Sequence, residues 1–257
     1  MDGIEWKRRK YNSLQRLWLL FNEKIACRIS NHLVADNPAI KDYLKTKIKQ
    51  KNKITMIPYG AERRNISEVL EKNLLKKLKL NKQHILIVAR PVEENNIYEI
   101  VKAFSKKRRS INLVILGQYN KSVNYQKKVL KIASEEVIFL GAIYDDDILS
   151  VLRKNAKLYI HGHSVGGTNP ALVEAMCYGI PILAHDNPYN RWVAGKESQF
   201  FKNENDLENK IESLIIRKDK LTSMSEAALS RHNKYFNWEK ILNEYENLLF
   251  SAKSKFL

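Results

Sequence analysis

Residues 158–176 read LYIHGHSVGGTNPALVEAM, and this stretch decides the fold. An apolar run that ends at Ile160 is followed by a polar turn with two adjacent glycines. Asn169 can then cap a helix that has Pro170 at its first position, where proline loses no hydrogen bond and already has a helical φ. The stretch therefore predicts a buried strand, a glycine-rich turn and a helix, in that order.

The same alternation of short apolar runs and amphipathic stretches extends over most of the chain. Runs rich in β-branched residues predict strands at residues 84–89, 112–116, 137–140, 158–161 and 181–184. Helical periodicity predicts helices at residues 95–106, 124–133, 146–153, 170–178 and 204–216, and from residue 218 to the C-terminus. Strands that alternate with helices form right-handed βαβ units. We expect an α/β fold with a Rossmann-like, doubly wound parallel sheet.

The first sixty residues predict a smaller unit with the same alternation. Short strands are predicted at residues 32–35 and 54–57, and a helix begins at Pro38 between them. The turn Pro58-Tyr59-Gly60 is the first predicted domain boundary. A further helix, predicted at residues 13–29, has one apolar face that consists of Leu14, Leu17, Trp18, Phe21, Ile25 and Ile29.

The composition of the 257 residues excludes several classes of protein. Hydrophobic residues make up 44% of the chain, which is enough for a sizeable core, so we expect a globular protein. Cys27 and Cys177 lie far apart and lack metal-ligand spacing, which argues against a disulfide framework and a zinc site. No apolar run is long enough for an export signal or a membrane span, and we expect a cytoplasmic protein.

The formal net charge of +17 is compatible with a nucleic-acid partner, an anionic membrane surface or a solvated lysine-rich surface. Between residues 41 and 53, basic residues recur at nearly every second position, and Tyr43 is the only aromatic residue among them. Grooves that stack nucleic-acid bases need several aromatic side chains, so nucleic acid is disfavoured. A solvated surface and a peripheral contact with the inner face of the plasma membrane both remain open.

Ligands of doubly wound sheets bind outside the carboxyl ends of the strands, where the Gly166-Gly167 turn is predicted to lie. Glycines let a ligand approach the backbone, and the free N–H groups of a helix N-terminus favour a phosphate. Glu174, one turn into the predicted helix, can accept hydrogen bonds from the hydroxyls of a ribose. The alternatives are a plain tight turn and a glutamate that complements the helix dipole. Together these features indicate a nucleoside diphosphate site that lacks the dinucleotide and Walker spacings.

Two strand ends carry further polar candidates. Arg90 follows the strand predicted at residues 84–89 and can neutralise a diphosphate. The alternative is a surface ion pair of Arg90 with Glu93 or Glu94. His161 and His163 share one face of an extended strand end. Lining of the ligand pocket and a structural role both remain open for these histidines, and metal binding is disfavoured because no third ligand lies nearby in sequence.

Several longer motifs resemble a known family. The segments VARPVEENN, VIFLGAIYDDDILSVLRKNAKLYIHG and GGTNPALVEAMCYGIPILA resemble the nucleotide-sugar-binding domain of the family 4 glycosyltransferases, which have the GT-B fold. The forms HGHSVGGTNPALVEAM, DGIEWKRRKY and PYGAE are most similar to the rhamnosyltransferase-like branch, which builds bacterial surface polysaccharides. The resemblance runs from Asp2 to about Tyr245.

The resemblance implies two facing Rossmann-like domains, of which the second holds most of the sugar donor. It implies that Arg90 contacts the donor diphosphate, that the backbone around Gly167, Thr168 and Asn169 cradles it, and that Glu174 holds the ribose. The implied reaction transfers a hexose, for which the branch suggests rhamnose, from a nucleoside diphosphate sugar to a polysaccharide or lipid-linked saccharide. Anomeric configuration is retained, and neither a metal nor another cofactor is expected.

The resemblance also implies the remaining pocket residues and shows two departures. Leu140 and Ile143 are expected to line the base, and Pro170 and His163 to line the donor pocket. Gly166 stands where the family usually has a glutamate, and Asn95 stands where it often has a lysine. We keep Gly166 and Asn95 among the expected donor-binding positions, with Arg191 as a candidate for the missing cation.

The position of DGIEWKRRKY near residue 1 is the third departure, because the family carries this motif near the middle of the chain. We expect residues 1–58 to be the remnant of an acceptor-binding domain, residues 59–235 to bind the nucleotide sugar, and residues 236–257 to form a crossover helix. Two interpretations remain open. A second chain completes the acceptor domain, or the polypeptide is a truncated, non-catalytic fragment that binds a nucleotide or a partner.

Overall fold

The computed structural model describes residues 3–8, 10–49, 53–80 and 83–253, and within them the strands form two sheets. In the smaller sheet β1 (Leu33–Ala35) pairs in parallel with β2 (Ile54–Met56). A short 3₁₀ helix (Glu5–Lys7) and α1 (Ser13–Ile29) precede this sheet, and α2 (Pro38–Lys45) connects its strands. Asp2 and Arg9 of the N-terminal motif, and the predicted helical residues 254–257, lie outside the described residues.

The larger sheet confirms the predicted doubly wound architecture. Its strands are β3 (His84–Val88), β4 (Leu113–Leu116), β5 (Val137–Gly141), β6 (Ala156–His161), β7 (Ile182–His185) and β8 (Gln199–Phe201). They are parallel and lie in the order β5-β4-β3-β6-β7-β8. The chain winds outward in one direction from β3 and in the other from β6, so the crevice at the carboxyl ends of β3 and β6 is the topological switch point.

Helices cover both faces of the larger sheet. They are α3 (Glu68–Lys77), α4 (Ile97–Ser105), α5 (Asn124–Ile132), α6 (Asp146–Lys154), α7 (Pro170–Cys177), α8 (Pro188–Ala194), α9 (Glu204–Ile216) and α10 (Lys218–Tyr235). A last helix, α11 (Trp238–Lys253), begins beside Gly60 in the turn after β2. Successive residues of β3 face opposite sides, because side chains alternate along a strand. Leu86 therefore lies in the core beneath α7, whereas Ile85 and Ile87 lie in the opposite core with α4 and α9.

Three elements were absent from the sequence prediction. Strand β8 and helix α8 are too short for a clear period, and the apolar face of α3 is interrupted by lysines. The helical pattern predicted from residue 218 to the C-terminus forms two helices, because α10 ends at Tyr235 and α11 begins at Trp238. Phe236 is fully buried at this break, and the side chain of Asn237 accepts a hydrogen bond from the Glu239 amide at 2.9 Å, which caps the new helix.

The predicted helix at residues 13–29 is confirmed, and its apolar face is open to solvent. Trp18 is 63% exposed and Phe21 is 53% exposed, and Leu14, Leu17 and Ile29 are more exposed still. Exposed apolar surface of this extent on one helix face is typical of an interaction surface. Among the described residues, no helix is both long and apolar enough to cross a bilayer.

Candidate functional site

The loops after β3 and β6 meet at the switch point. Arg90 lies just beyond β3 with its side chain exposed, and its carbonyl accepts a hydrogen bond from the side-chain amide of Asn95 at 2.8 Å. Asn95 is buried, and a side chain at Gly162 would overlap the Asn95 carbonyl. The amide of Asn95 therefore shapes the turn that presents Arg90, and the missing side chain of Gly162 lets the two loops touch.

The glycine pair after β6 has two different surroundings. Gly166 has a φ of +133°, and a Cβ atom placed there would have no atom within 4 Å. A Cβ atom on Gly167 would instead overlap the carboxylate of Asp36, which lies just beyond β1. The first glycine is needed for its backbone conformation and the second for the close approach of Asp36.

Asp36 also binds the residue that follows the glycines. Its carboxylate accepts a hydrogen bond from the Thr168 amide at 2.6 Å, and its carbonyl accepts one from the Thr168 hydroxyl. Both residues are buried. The amide of Thr168, which the sequence assigned to the diphosphate, is thus bonded to a carboxylate of the N-terminal unit in this structure.

Helix α7 begins as the sequence predicts. The side chain of Asn169 accepts a hydrogen bond from the Ala171 amide at 3.0 Å, and Pro170 occupies the first turn. One turn later the carboxylate of Glu174 forms an ion pair with Arg153 of α6. Burial raises the pKa of Glu174, and the Arg153 charge opposes that rise.

A cavity of about 450 Å³ surrounds Glu174. It lies between α6, α7 and the turn after β2, and its lining includes Tyr59, Arg64, Arg153, Pro170, Tyr178 and Trp238. Leu140 at the end of β5 and Ile143 beyond it are partly buried against the same core that α7 covers. The cavity is therefore a pocket with both charged and aromatic walls, on the α7 side of the sheet.

The histidines after β6 are packed against one another. The rings of His161 and His163 stack with centroids 4.3 Å apart, and His161 is 1% exposed. Burial lowers the pKa of both, that of His163 to about 3, and the charges of Arg90 and Arg8 lower the pKa of His163 further. Both imidazoles are neutral at pH 7. Within the described part of the chain, no group of three or more His, Cys, Asp or Glu residues is placed to hold a metal ion.

Arg191, the candidate replacement cation, is engaged elsewhere. Its guanidinium pairs with Asp186, with Nη2 2.9 Å from Oδ2, and lies over the ring of Phe200 at 4.8 Å. The N-terminal segment supplies other cations to the strand ends. Arg8 pairs with Glu94, with Nη1 3.2 Å from Oε1, and Lys10 lines a cavity of about 370 Å³ that also contains Arg90.

Two family models match parts of this chain. Residues 71–231 match the family model described as glycosyl transferases group 1. The chain belongs to this family. Residues 1–62 match a second model, described as a domain of unknown function, DUF1972. The group 1 match includes Arg90 beyond β3 and Glu174 of α7, and the second match includes Arg8 and Asp36.

The relatives of this group 1 glycosyltransferase are longer than the chain itself. It is 24% identical to an uncharacterized glycosyltransferase of Methanocaldococcus jannaschii over 237 residues, 88% of this chain and 59% of the relative. It is 28% identical to the alpha-monoglucosyldiacylglycerol synthase of Streptococcus pneumoniae over 214 residues, 77% of this chain and 47% of that one. The chain thus spans about half to three-fifths of the length of these curated relatives.

Solved structures show the same fold. Anabaena Alr3699/HepE in complex with UDP-glucose superposes with a TM-score of 0.81 at 15% identity, covering 97% of this chain and 71% of that one. Sucrose-phosphate synthase of Thermosynechococcus elongatus superposes with a TM-score of 0.79 at 17% identity, covering 97% and 66%. Both likenesses establish the GT-B architecture of this family member.

Three residues that contact the site were absent from the sequence prediction. Asp36, Arg153 and Arg8 lie on other elements than the residues they contact, and each contact joins positions far apart in sequence. A single sequence carries no signal for such pairs. The one available hint was the glycine at 167, because a residue without a side chain indicates that another group approaches closely.

Proposed function

We propose that this chain binds a nucleoside diphosphate sugar in the crevice between β3 and β6 and takes part in hexose transfer. One observation carries the proposal. The strand order reverses between β3 and β6, so that Arg90 and the loop from Gly166 to Asn169 lie at the same edge of the sheet, where ligands of such sheets bind. The UDP-glucose complex of the Anabaena protein, which has the same fold, supports a donor of this class.

Each residue of the crevice has a role in the proposal. Arg90 and the backbone amides of Gly167 and Asn169 bind the diphosphate. The N-terminal end of α7 adds the favourable interaction of its helix dipole with the negative charge. Glu174 accepts hydrogen bonds from the ribose hydroxyls, in exchange for part of its contact with Arg153. Leu140 and Ile143 contact the base, and the neutral His163 lines the pocket.

The proposed chemistry is electrostatic. The bond between the anomeric carbon of the sugar and the diphosphate oxygen breaks, an acceptor hydroxyl bonds to that carbon, and the acceptor proton is released. Arg90 and the α7 N-terminus stabilise the negative charge that develops on the leaving diphosphate. We propose that configuration is retained and that no metal is required, so EDTA is expected to leave the rate unchanged.

For the substrates we propose a hexose, with rhamnose first among the candidates, and a polysaccharide or lipid-linked saccharide as acceptor. The name of the pneumococcal relative describes a glycolipid synthase, which supports an acceptor at a membrane surface. The net charge of +17 supports peripheral contact with anionic lipids at the cytoplasmic face.

We further propose that a second polypeptide segment completes the acceptor-binding domain. The apolar face of α1 is open, and the small sheet consists of two strands among the described residues. The curated relatives are roughly twice as long as the aligned part. The same exposed face supports a second candidate function, in which the chain binds nucleotide and partner without transferring sugar.

A nucleotide-sugar panel separates the two functions. The chain, alone and with the product of any upstream open reading frame that encodes the rest of the acceptor domain, is incubated with a lipid-linked saccharide acceptor and with dTDP-rhamnose, UDP-glucose or GDP-mannose, and released nucleotide and anomeric configuration are followed by NMR. Nucleotide release that requires the upstream protein supports transfer by a completed enzyme. Nucleotide binding without release in either condition supports the non-catalytic function, and binding of no nucleotide contradicts both.

A further inference from the structure

The N-terminal segment, residues 3–8 and 10–11, lies across the carboxyl ends of the larger sheet. A Cβ atom placed on Gly3 would lie 3.4 Å from Cα of Gly166, in the loop after β6. Arg8 contacts Glu94 in the loop after β3, and Lys10 lines the cavity beside Arg90. The segment therefore covers the crevice in which the proposed donor diphosphate binds.

Arg8 is the most firmly held cation of this segment. Its side chain is 14% exposed, Nε lies 2.9 Å from Oε1 of Glu5, and Nη1 lies 3.2 Å from Oε1 of Glu94. The third nitrogen, Nη2, lies on the side of Gly3, because a Cβ atom placed on Gly3 would be 3.8 Å from Nη2 and 3.4 Å from Cα of Gly166. The planar fork of a guanidinium can donate from Nη2 while Nε and Nη1 remain paired.

Glu94 fixes Arg8 at the junction of the two loops. The carbonyl of Glu94 accepts hydrogen bonds from the amide of Ser164 at 2.9 Å and from its hydroxyl at 2.8 Å. Arg8 is thereby linked to the loop after β3 and lies beside the loop after β6. Glu94, the partner of Arg8, also lines the cavity of about 370 Å³ that contains Arg90, so the two arginines lie on one side of the crevice.

The diphosphate of a nucleoside diphosphate sugar is esterified at both ends and has one ionised oxygen on each phosphorus, so it carries two negative charges at neutral pH, and Arg90 supplies one positive charge. Arg8, Arg153 and Arg191 are all paired with carboxylates, but only Arg8 among these three has a partner, Glu94, that lines the same cavity as Arg90. We infer that Arg8 is the second diphosphate-binding cation, donating from Nη2 to a phosphate oxygen that Arg90 approaches from the loop after β3. This inference rests on the proposed nucleotide-sugar site and adds to it a residue from the N-terminal unit.

The test is titration calorimetry with UDP, dTDP and GDP on the full chain and on three variants. Arg8→Ala is expected to weaken the best-binding diphosphate about tenfold or more, as loss of a hydrogen bond to a charged group does. Arg8→Lys retains the charge without the fork and is expected to lose less. Lys7→Ala is the matched control, because Lys7 lies on the same segment but over the rings of Trp6 and Tyr43.

A second readout distinguishes diphosphate binding from a structural role. Binding of the corresponding nucleoside, followed by ligand-observed NMR, is expected to be unchanged in Arg8→Ala, since the nucleoside has no phosphate. The inference would be overturned if Arg8→Ala lost equal affinity for the nucleoside and for the nucleoside diphosphate. It would also be overturned if Arg8→Ala and Lys7→Ala lost equal affinity for the diphosphate. If the wild-type chain binds a diphosphate and Arg8→Ala binds it equally well, the Arg8 inference alone fails. If the wild-type chain binds none, the proposed function fails with it.

Discussion

Asp36 and Thr168 are joined by two hydrogen bonds across 132 residues of sequence, one from the Thr168 amide to the Asp36 carboxylate and one from the Thr168 hydroxyl to the Asp36 carbonyl. Asp36 belongs to the small N-terminal unit and Thr168 to the loop between β6 and α7. The pair therefore fixes the glycine loop from the side of the N-terminal unit. A buried carboxylate held in this way couples the stability of the two units.

Removal of the Asp36 carboxylate is expected to destabilise the fold. Asp36→Ala leaves the buried Thr168 amide without this acceptor, which costs about 1–3 kcal/mol. Asp42→Ala removes an exposed carboxylate of α2 that pairs with Lys45 and should cost under about 1 kcal/mol. Urea unfolding of both variants measures the difference, and equal midpoints would show that the Asp36 contact contributes nothing.

A side chain at Gly167 is expected to clash with the same carboxylate. Gly167→Ala should cost about 1–3 kcal/mol, as overpacking of buried sites does. Combining it with Asp36→Ala should cost less than the sum of the two single variants, because the overlapping group is gone. A double-mutant cycle from unfolding curves gives this coupling, and strictly additive costs would contradict the close approach of Asp36 to Gly167.

Burial of the histidines predicts acid sensitivity. His161 and His163 have folded-state pKa values below the ordinary 6.5, so the unfolded chain binds more protons in acid than the folded chain does. Their contribution to stability is complete above pH 6.5 and falls as the pH drops toward the folded-state values, by up to about 1.4 kcal/mol per pH unit for each histidine.

Replacing one ring tests this assignment. His163→Gln is expected to flatten the fall in unfolding free energy between pH 6.5 and 4 relative to wild type. His32→Gln changes a histidine that hydrogen-bonds Thr55 in the small sheet and serves as the control. Identical pH profiles for wild type and His163→Gln would mean that the buried ring does not control the acid response.

The ion pair of Glu174 and Arg153 predicts a pH dependence of nucleotide binding. Burial raises the pKa of Glu174 above 4.5, and Arg153 limits the rise. Nucleotide affinity should therefore fall as the pH drops through this raised pKa, since the protonated carboxyl accepts ribose hydroxyls less well. Arg153→Ala should move the midpoint of this fall in affinity to higher pH. Glu174→Gln should abolish the fall, apart from the contribution made by protonation of the nucleotide's own phosphate.

The pH dependence of nucleotide affinity in Arg153→Ala and in Glu174→Gln, measured by calorimetry, tests the two roles separately. A midpoint that moves to lower pH in Arg153→Ala would contradict the role given to Arg153. A profile of Glu174→Gln that matches wild type at every pH would remove Glu174 from the site.

The open face of α1 predicts self-association of the isolated chain. Trp18 and Phe21 are exposed large apolar side chains, and such patches associate in water. Changing both to Gln should reduce the sedimentation coefficient at high concentration without lowering the unfolding midpoint, because neither side chain is buried. Val69→Gln, at an exposed apolar position of α3, is the control. Concentration-independent sedimentation of the wild-type chain would show that the face does not associate with itself.

The fold could be read from the sequence where local pattern and tertiary structure agree. Residues 84–88 form a buried strand because apolar β-branched residues favour strands, and α7 begins at Pro170 because Asn169 caps it. Strand β8 was missed because three residues carry no period. The break between α10 and α11 coincides with burial of the Phe236 ring, a tertiary effect that helical periodicity does not show.

The residues of the site also divide into those that a local sequence pattern predicts and those that packing positions. Gly166, Gly167 and Glu174 lie within nine residues, and one local pattern placed them at a strand end. Asp36, Arg153 and Arg8 reach the loop or the helix from other elements, and their positions follow from packing of the two units. Asn95 was expected in the pocket because of its place in the motif. In the structure its side-chain amide donates a hydrogen bond to the Arg90 carbonyl, and the geometry of the turn determines this contact.

The most direct test of the central claim, that Arg90 and Glu174 belong to one nucleotide site, is calorimetric titration of the chain with UDP, dTDP and GDP. We predict that wild type binds at least one of them and that Arg90→Ala and Glu174→Ala each weaken that binding about tenfold or more. Asp219→Asn, at an exposed carboxylate of α10, should bind as wild type does. Absence of binding by wild type, or equal affinity in all four proteins, would contradict the account.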